Sequence, residues 1–240
     1  MAPNSTIIIT RHAQAEHNVL YDFSIHDAPL TALGKEQAAS LCHRLPTLQQ
    51  EADLIVTSPM RRTLQTTKIG WAPAIEKLGG IANVICLPEL QECNDYACDT
   101  GSPREELEAD AEFAGFNFDR LTPEWTSKKG FWGPDKEALD HRAKRVRQFL
   151  RDRPEKNIVV VAHGAIIRRL TTAPASPNLR MWWNAEVRVF RFNPEFVQTE
   201  DCWLHQTEDV AVAGGYGPTG VGDRYRSDKW EPVRCLSRSV

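Results

Sequence analysis

The apolar positions alternate between two periods along the chain. Residues 5–10 form a β-branched run around Ile7-Ile8-Ile9, which predicts a buried strand ending at Arg11-His12. Thr31 then stands as an N-cap before Leu33, Gln37, Ala38, Leu41 and Leu45, a helical spacing that stops at Pro46. Residues 53–57 predict a second strand. Ser58-Pro59 after it places a capping hydroxyl and a first-turn proline before a helix running to about Ile69. Residues 83–87 predict a third, short strand. Ser102-Pro103 opens another helix, with Glu105 and Glu106 where the helix dipole favours negative charge. Residues 135–151 give the clearest helix: Leu139, Ala143, Val146 and Leu150 keep one apolar face, while Arg142, Lys144, Arg145 and Arg147 supply the wet one. The run Ile158-Val159-Val160-Val161 suits a central parallel strand and leads into His163-Gly164 and a helix over 165–170. Residues 186–192 and 202–206 predict two late strands.

Strands alternating with helices predict an α/β fold of three layers, α/β/α, around a mainly parallel central sheet. Residues 1–210 are expected to form one domain, with an inserted, mostly helical subdomain over about 93–134. Residues 211–240 differ: five glycines between Gly214 and Gly222 without periodic apolar residues predict an irregular tail. No internal repeat is seen.

With 240 residues, 41% hydrophobic and 25% charged, the chain has the composition of a soluble domain with a sizeable core. Its net charge of −3 offers no global attraction for nucleic acid or an anionic membrane. The basic residues of 142–147 lie around one helix without interleaved aromatics, so no nucleic-acid partner is expected. No stretch of about 18 apolar residues predicts a transmembrane helix, and the first ten residues lack a basic signal-peptide region. The six cysteines show no C-x-x-C pair and no zinc spacing, which fits reduced thiols and a cytoplasmic location. No cofactor and no metal is expected, and the oligomeric state is left open.

The candidate chemistry lies where strands end. Two strands finish in histidine, at Arg11-His12 and at Ala162-His163-Gly164. In open parallel sheets ligands bind beyond the carboxyl ends of strands, so both histidines reach one edge. The following helices aim free N–H groups there, which favours an anion. Arg11 adds a planar cation suited to phosphate, and a third strand end passes through Ser58 to Arg61-Arg62. That set suits a dianionic phosphoryl group and its transfer to a neutral imidazole, with cations stabilising the equatorial oxygens. A carboxyl group is then needed for the leaving oxygen, and the third strand leads to Glu89 and Glu92.

Here the residues resemble a family. Thr10-Arg11-His12-Ala13-Gln14-Ala15-Glu16-His17-Asn18 resembles the signature of the histidine phosphatase (phosphoglycerate mutase-like) superfamily. Leu30-Thr31-Ala32-Leu33-Gly34 with Gln37-Ala38 resembles its L-T-x-x-G-x-x-Q-A block. Ser58-Pro59-Met60-Arg61-Arg62-Thr63-Leu64-Gln65-Thr66 resembles its S-P-L-x-R-x-x-Q-T block. Leu90-Gln91-Glu92 resembles its L-x-E segment and Val161-Ala162-His163-Gly164 its second histidine motif. One R-H dipeptide is weak; five blocks in order over roughly residues 6–170 are specific.

The resemblance implies a phosphoglycerate mutase-like fold and roles for single residues. His12 becomes the nucleophile. Arg11, Arg62, Asn18, His163 and Gly164 hold the phosphoryl group, with Arg62 selected over Arg61. Glu92 becomes the proton donor and later the base for water, with Glu89, Asp95 and Asp99 as rivals. Gln14, Asp99, Thr100 and Trp132 are expected at the substrate pocket, and His17 is read as structural or pocket-lining. One position departs from the family: Ala13 stands where glycine is usual, which would cost about 1 kcal/mol if the backbone needed φ > 0.

The implied activity is hydrolysis of a small phosphate ester through a phosphohistidine. The alternatives are mutase-type phosphoryl transfer and a non-catalytic phospholigand-binding protein. Mutases of the family follow the proton-donor segment with a basic stretch, whereas residues 93–102 here are acidic and polar. Six aromatics, Phe113, Phe116, Phe118, Trp125, Phe131 and Trp132, crowd residues 113–132. They make either a core under the insert or an apolar wall beside the phosphate. Trp182-Trp183 adds to that wall or packs.

Overall fold

The structure, a computed structural model, describes residues 4–173 and 181–207. Six strands form one sheet in the order β3-β2-β4-β1-β5-β6. They are β1 (Thr6–Arg11), β2 (Leu54–Thr57), β3 (Ile85–Cys86), β4 (Asn157–Ala162), β5 (Val187–Phe192) and β6 (Leu204–Gln206). β1, β2, β3 and β4 are parallel; β5 runs antiparallel to β1, and β6 antiparallel to β5. Register pairs Thr10 with Val161 and Arg11 with Ala162, so His12 and His163 leave adjacent strands at the same level.

Strand periodicity splits the apolar residues between two cores. Ile8, Ile55, Val159 and Val187 face one side, and Ile7, Ile9, Val56, Val160 and Phe190 face the other. Helices α1 (Glu16–Leu20), α2 (Ala32–Arg44), α3 (Pro46–Glu51), α4 (Arg61–Gly70), α5 (Ala72–Lys77) and α6 (Arg104–Ala109) precede α7 (Lys136–Arg151) and α8 (Gly164–Thr171). Residues of α2, α4, α5 and α6 cover the first core, and α7 and α8 cover the second. The three layers and the six strands follow the sequence expectation; α1, α3 and α5 are additional. Between β3 and α7, helical structure is limited to α6 and short 3-10 turns. The Gly-rich stretch from residue 211 lies outside the described residues.

Capping follows the sequence at two helices. Thr31 accepts from the Gly34 N–H, and Asp135 accepts from the Ala138 N–H. It departs at two others. Ser58 does not cap α4, whose N-cap is Met60, because the Ser58 hydroxyl is bonded to His163. Ser102 does not cap α6, whose N-cap is Pro103, because its hydroxyl donates to Asp27.

The wet face assigned to α7 is also corrected. Arg142 and Arg147 are buried. Arg147 stacks over Trp203 at 3.8 Å and donates to the carbonyls of Asp201 and Arg169. Of the six crowded aromatics, Phe113, Phe116, Phe118 and Trp125 are buried in the first core, which decides for packing over a pocket wall. Trp182 packs as well, stacked on Phe190 with Arg188 over its ring.

Candidate active site

His12 and His163 stand with ring centroids 5.2 Å apart, and both are buried. His12 donates Nδ1–H to the Ala13 carbonyl at 2.7 Å, which leaves the lone pair on Nε2. Burial holds His12 well below the usual imidazole range, and the charges of Arg62 and Arg11 push it the same way. The ring is therefore neutral, with Nδ1 held and the lone pair on Nε2.

The backbone around His12 is clamped by groups from four elements. Its N–H donates to the Ala162 carbonyl. Its carbonyl accepts from Asn184 Nδ2 and the Ala185 N–H. The Ala13 N–H donates to Thr66 Oγ1 on α4 and the Gln14 N–H to Gln37 Oε1 on α2. The Leu30 N–H donates to Gln65 Oε1. A Cβ at Gly34 would meet the Gln14 carbonyl oxygen at 1.9 Å, so only glycine lets α2 dock on this loop. Gly34, Gln37, Gln65 and Thr66 thus hold the loop that follows His12.

Ala13 is buried and is not among the positive-φ residues, so the methyl group imposes no left-handed strain. Gly164 lies against Arg11: a Cβ there would sit 3.5 Å from Nε, an ordinary contact.

Arg62 is fully buried and links three parts of the site. Nε donates to His163 Nδ1 at 3.2 Å, Nη1 to the Cys98 carbonyl at 2.6 Å, and Nη2 pairs with Asp99 at 3.4 Å. His163 then carries its proton on Nε2, which donates to Ser58 Oγ at 2.8 Å. Burial lowers His163 strongly, with Arg62 the next cause. Arg61, left open beside Arg62 by the strand-end reading alone, turns away to an ion pair with Asp110. Arg11 Nη1 donates to the Trp182 carbonyl.

Asn18 accepts from the Ala15 N–H and donates to His17 Nε2 at 2.9 Å. His17 lies 5.9 Å from His12, ring centre to ring centre. Burial, then Arg62 and Arg11, lower its pKa to about 2.

The free helix N-terminus expected after His163 is filled. Glu92 accepts from the Ala165 and Ile166 N–H groups at 3.2 and 3.1 Å, and from the Cys93 N–H at 2.9 Å. Its carboxyl oxygens thus occupy the start of α8, beside Gly164. Lys128 Nζ and Arg142 Nη2 both donate to the Glu92 carbonyl, at 3.2 and 3.3 Å. Burial, then the Arg142 charge, lower Lys128 to about 8. Lys128 sits in the left-handed region at φ 54°, a strained place for a long side chain.

Asp99 is a second carboxyl here, and it is buried. It accepts from Asn94 Nδ2 at 2.9 Å, and burial, then the Glu92 charge, raise its pKa. Glu89 and Asp95 make no hydrogen bond with this cluster. Gln14 neither faces solvent nor is free: its Oε1 accepts from Thr31 Oγ1. Thr100 Oγ1 donates to the Tyr96 carbonyl. Trp132 packs at the edge of the first core, edge-on to Phe131.

Sequence reasoning missed Asn184, Lys128 and Arg142, and misread Ser58. Only Ser58 carried a signal, its place in the S-P-x-x-R block. A separate groove of about 870 Å³, lined by Asp140, Lys144, Arg147, Arg169 and Trp203 among others, shares no residue with the histidine cluster. Its cations are engaged: Arg169 pairs with Asp140 and Lys144 with Glu200.

Residues 7–206 match the family described as the histidine phosphatase superfamily (branch 1). A probable phosphatase of Schizosaccharomyces pombe is 35% identical over 169 residues, 69% of this chain and 76% of that one. A phosphoglycerate mutase-like protein of Arabidopsis thaliana is 27% identical over 205 residues, 70% of this chain and 74% of that one. Among solved structures, a mycobacterial glucosyl-3-phosphoglycerate phosphatase shares the fold with a TM-score of 0.52 and 22% identity, over 85% of this chain and 97% of that one.

Proposed function

The chain belongs to the histidine phosphatase superfamily, and from that premise we propose that it hydrolyses a small phosphate ester through a phosphohistidine on His12. The observation that carries the reading is the His12 ring. It is neutral and clamped through Nδ1, its centre lies 5.2 Å from that of the second imidazole, and it feels the charges of Arg62 and Arg11.

In the first step Nε2 of His12 attacks phosphorus and the P–O bond to the organic group breaks. Glu92 gives the leaving oxygen a proton. Arg11 and Arg62 meet the charge on the equatorial oxygens, the Nε2–H of His163 exchanges Ser58 Oγ for one of them, and Asn18 is a further donor. In the second step the Glu92 carboxylate takes a proton from water, the new P–O bond forms, and the P–N bond to His12 breaks. Inorganic phosphate leaves and Glu92 is protonated again.

The reaction is metal-independent on this reading, because guanidinium groups already supply the positive charge. Residues 1–210 act as one catalytic domain, a reading supported by a single sheet whose strands come from both ends of that span. No helix among the described residues is long and apolar enough to cross a membrane, and Cys42, Cys86, Cys93, Cys98 and Cys202 are free thiols. These features support a cytoplasmic location.

The test is a turnover screen over sugar phosphates, nucleotides, aryl phosphates and prenyl diphosphates, run with and without a chelator. Phosphate release that persists in chelator and is lost in His12→Ala is expected. No release from any ester, or release restored only by a divalent ion, contradicts the proposal.

A further inference from the structure

Three aromatic side chains stay at the surface beside the phosphate cluster. Tyr21, Phe23 and Tyr96 are 39%, 42% and 49% exposed. Phe23 and Tyr96 stack with centroids 5.1 Å apart and planes 11° from parallel, and Tyr21 meets Phe23 edge-on at 6.2 Å. Contiguous exposed aromatics of this kind mark binding surfaces, whereas scattered ones do not.

Their backbones are tied to the residues that hold the phosphoryl group. Tyr21 caps the end of α1, the helix that carries His17 and Asn18. The Cys98 N–H donates to the Phe23 carbonyl, and the Asp99 N–H donates to the Tyr96 carbonyl. Cys98 and Asp99 are the partners of Arg62. The aromatic patch therefore continues the anion site and is carried by the same two segments.

The two segments that carry the patch are acidic. Glu16, Asp22 and Asp95 are exposed, and residues 16–24 and 94–97 contain no lysine or arginine. A second anionic group on the organic part of a substrate would meet like charge there. A neutral ring would stack.

We propose that Tyr21, Phe23 and Tyr96 form the subsite for the leaving group, and that the substrate is a monoester whose organic part carries an uncharged aromatic ring. This rests on the phosphatase reading and names its substrate class. The aromatic wall looked for at residues 113–132 is core; the surface that serves lies at residues 21–23 and 96.

The test pairs binding with turnover. Affinities of naphthylmethylphosphonate and ethylphosphonate are measured by calorimetry, and kcat/KM is measured for naphthylmethyl phosphate and glycerol phosphate, both alkyl esters. Two ring contacts of ordinary strength correspond to a preference of about tenfold for the naphthyl compound. Phe23→Ser and Tyr96→Ser should each reduce that ratio about threefold, mainly through KM, and the double variant should bring it close to one. Equal affinity for the two phosphonates, undetectable binding of the naphthyl compound, or equal losses on both esters overturns the subsite. So does a wild-type dimer that the variants dissociate, since a second copy would then be the occupant. A retained naphthyl preference in binding without turnover of either ester sinks the phosphatase reading alone.

Discussion

Arg62 donates its Nε–H to Nδ1 of His163 across 3.2 Å. A guanidinium has no acceptor, so Nδ1 must be bare and the His163 proton must sit on Nε2. Burial first, and then this pairing, keep His163 neutral and leave it one directed donor.

His17 shares this logic and sets a pH dependence. Its pKa falls from the ordinary 6.5 to about 2 on folding, first through burial. A depressed pKa means that the unfolded chain binds the proton first, so the contribution is present above pH 6.5 and is lost as pH falls below it. Urea unfolding of the wild type should weaken between pH 7.5 and 5.5. His17→Gln, which keeps an acceptor for Asn18, should remove about 1 kcal/mol of that loss. An unchanged pH slope in the variant would show a charged His17 in the native state.

A covalent intermediate should be trapped on His12. Quenching without acid after mixing with labelled substrate is expected to leave a base-stable, acid-labile phosphoenzyme. His12→Ala should carry no label. Label retained in that variant would move the nucleophile elsewhere.

Glu92 should matter most where the leaving group is poor. An alkoxide needs a proton in the transition state, and a nitrophenolate departs without one. In single-turnover phosphorylation, Glu92→Gln should lose most of the roughly 10²–10⁴-fold range of acid catalysis with alkyl phosphates, and much less with nitrophenyl phosphate. Equal losses would mean that Glu92 acts only as the cap of α8. Asp99→Asn is the comparison, because Asp99 is a buried carboxyl of this cluster, paired with Arg62.

Two glycines of the matched motifs should differ in their tolerance of a methyl group. Gly34→Ala places a methyl group 1.9 Å from the Gln14 carbonyl oxygen, a backbone atom with no room to yield. A loss of about 1–3 kcal/mol in urea unfolding is expected, with lowered activity as the His12 loop shifts. Gly164→Ala meets Arg11 only at ordinary contact distance, and its unfolding midpoint should stay near the wild type. Comparable destabilisation by both would mean that the loop is not clamped by α2.

The sequence by itself determined the sheet and the position of the two histidines. Runs such as Ile7-Ile8-Ile9 and Ile158-Val159-Val160-Val161 are apolar on both faces, and only a central strand buries both. Parallel pairing then brings His12 and His163 to one edge whatever the surrounding detail. Tertiary structure decided what no local pattern encodes. Arg142 has the spacing of a solvated helix position, yet it is buried because the Glu92 segment packs on α7 and offers its carbonyl. Glu92 was legible as a carboxylate after a strand, but its docking on α8 joins positions 73 and 74 residues apart. The aromatics of residues 113–132 and those at 21, 23 and 96 look alike as letters. Which set is core and which is surface depends on the segments that fold over them, and those contacts are long-range.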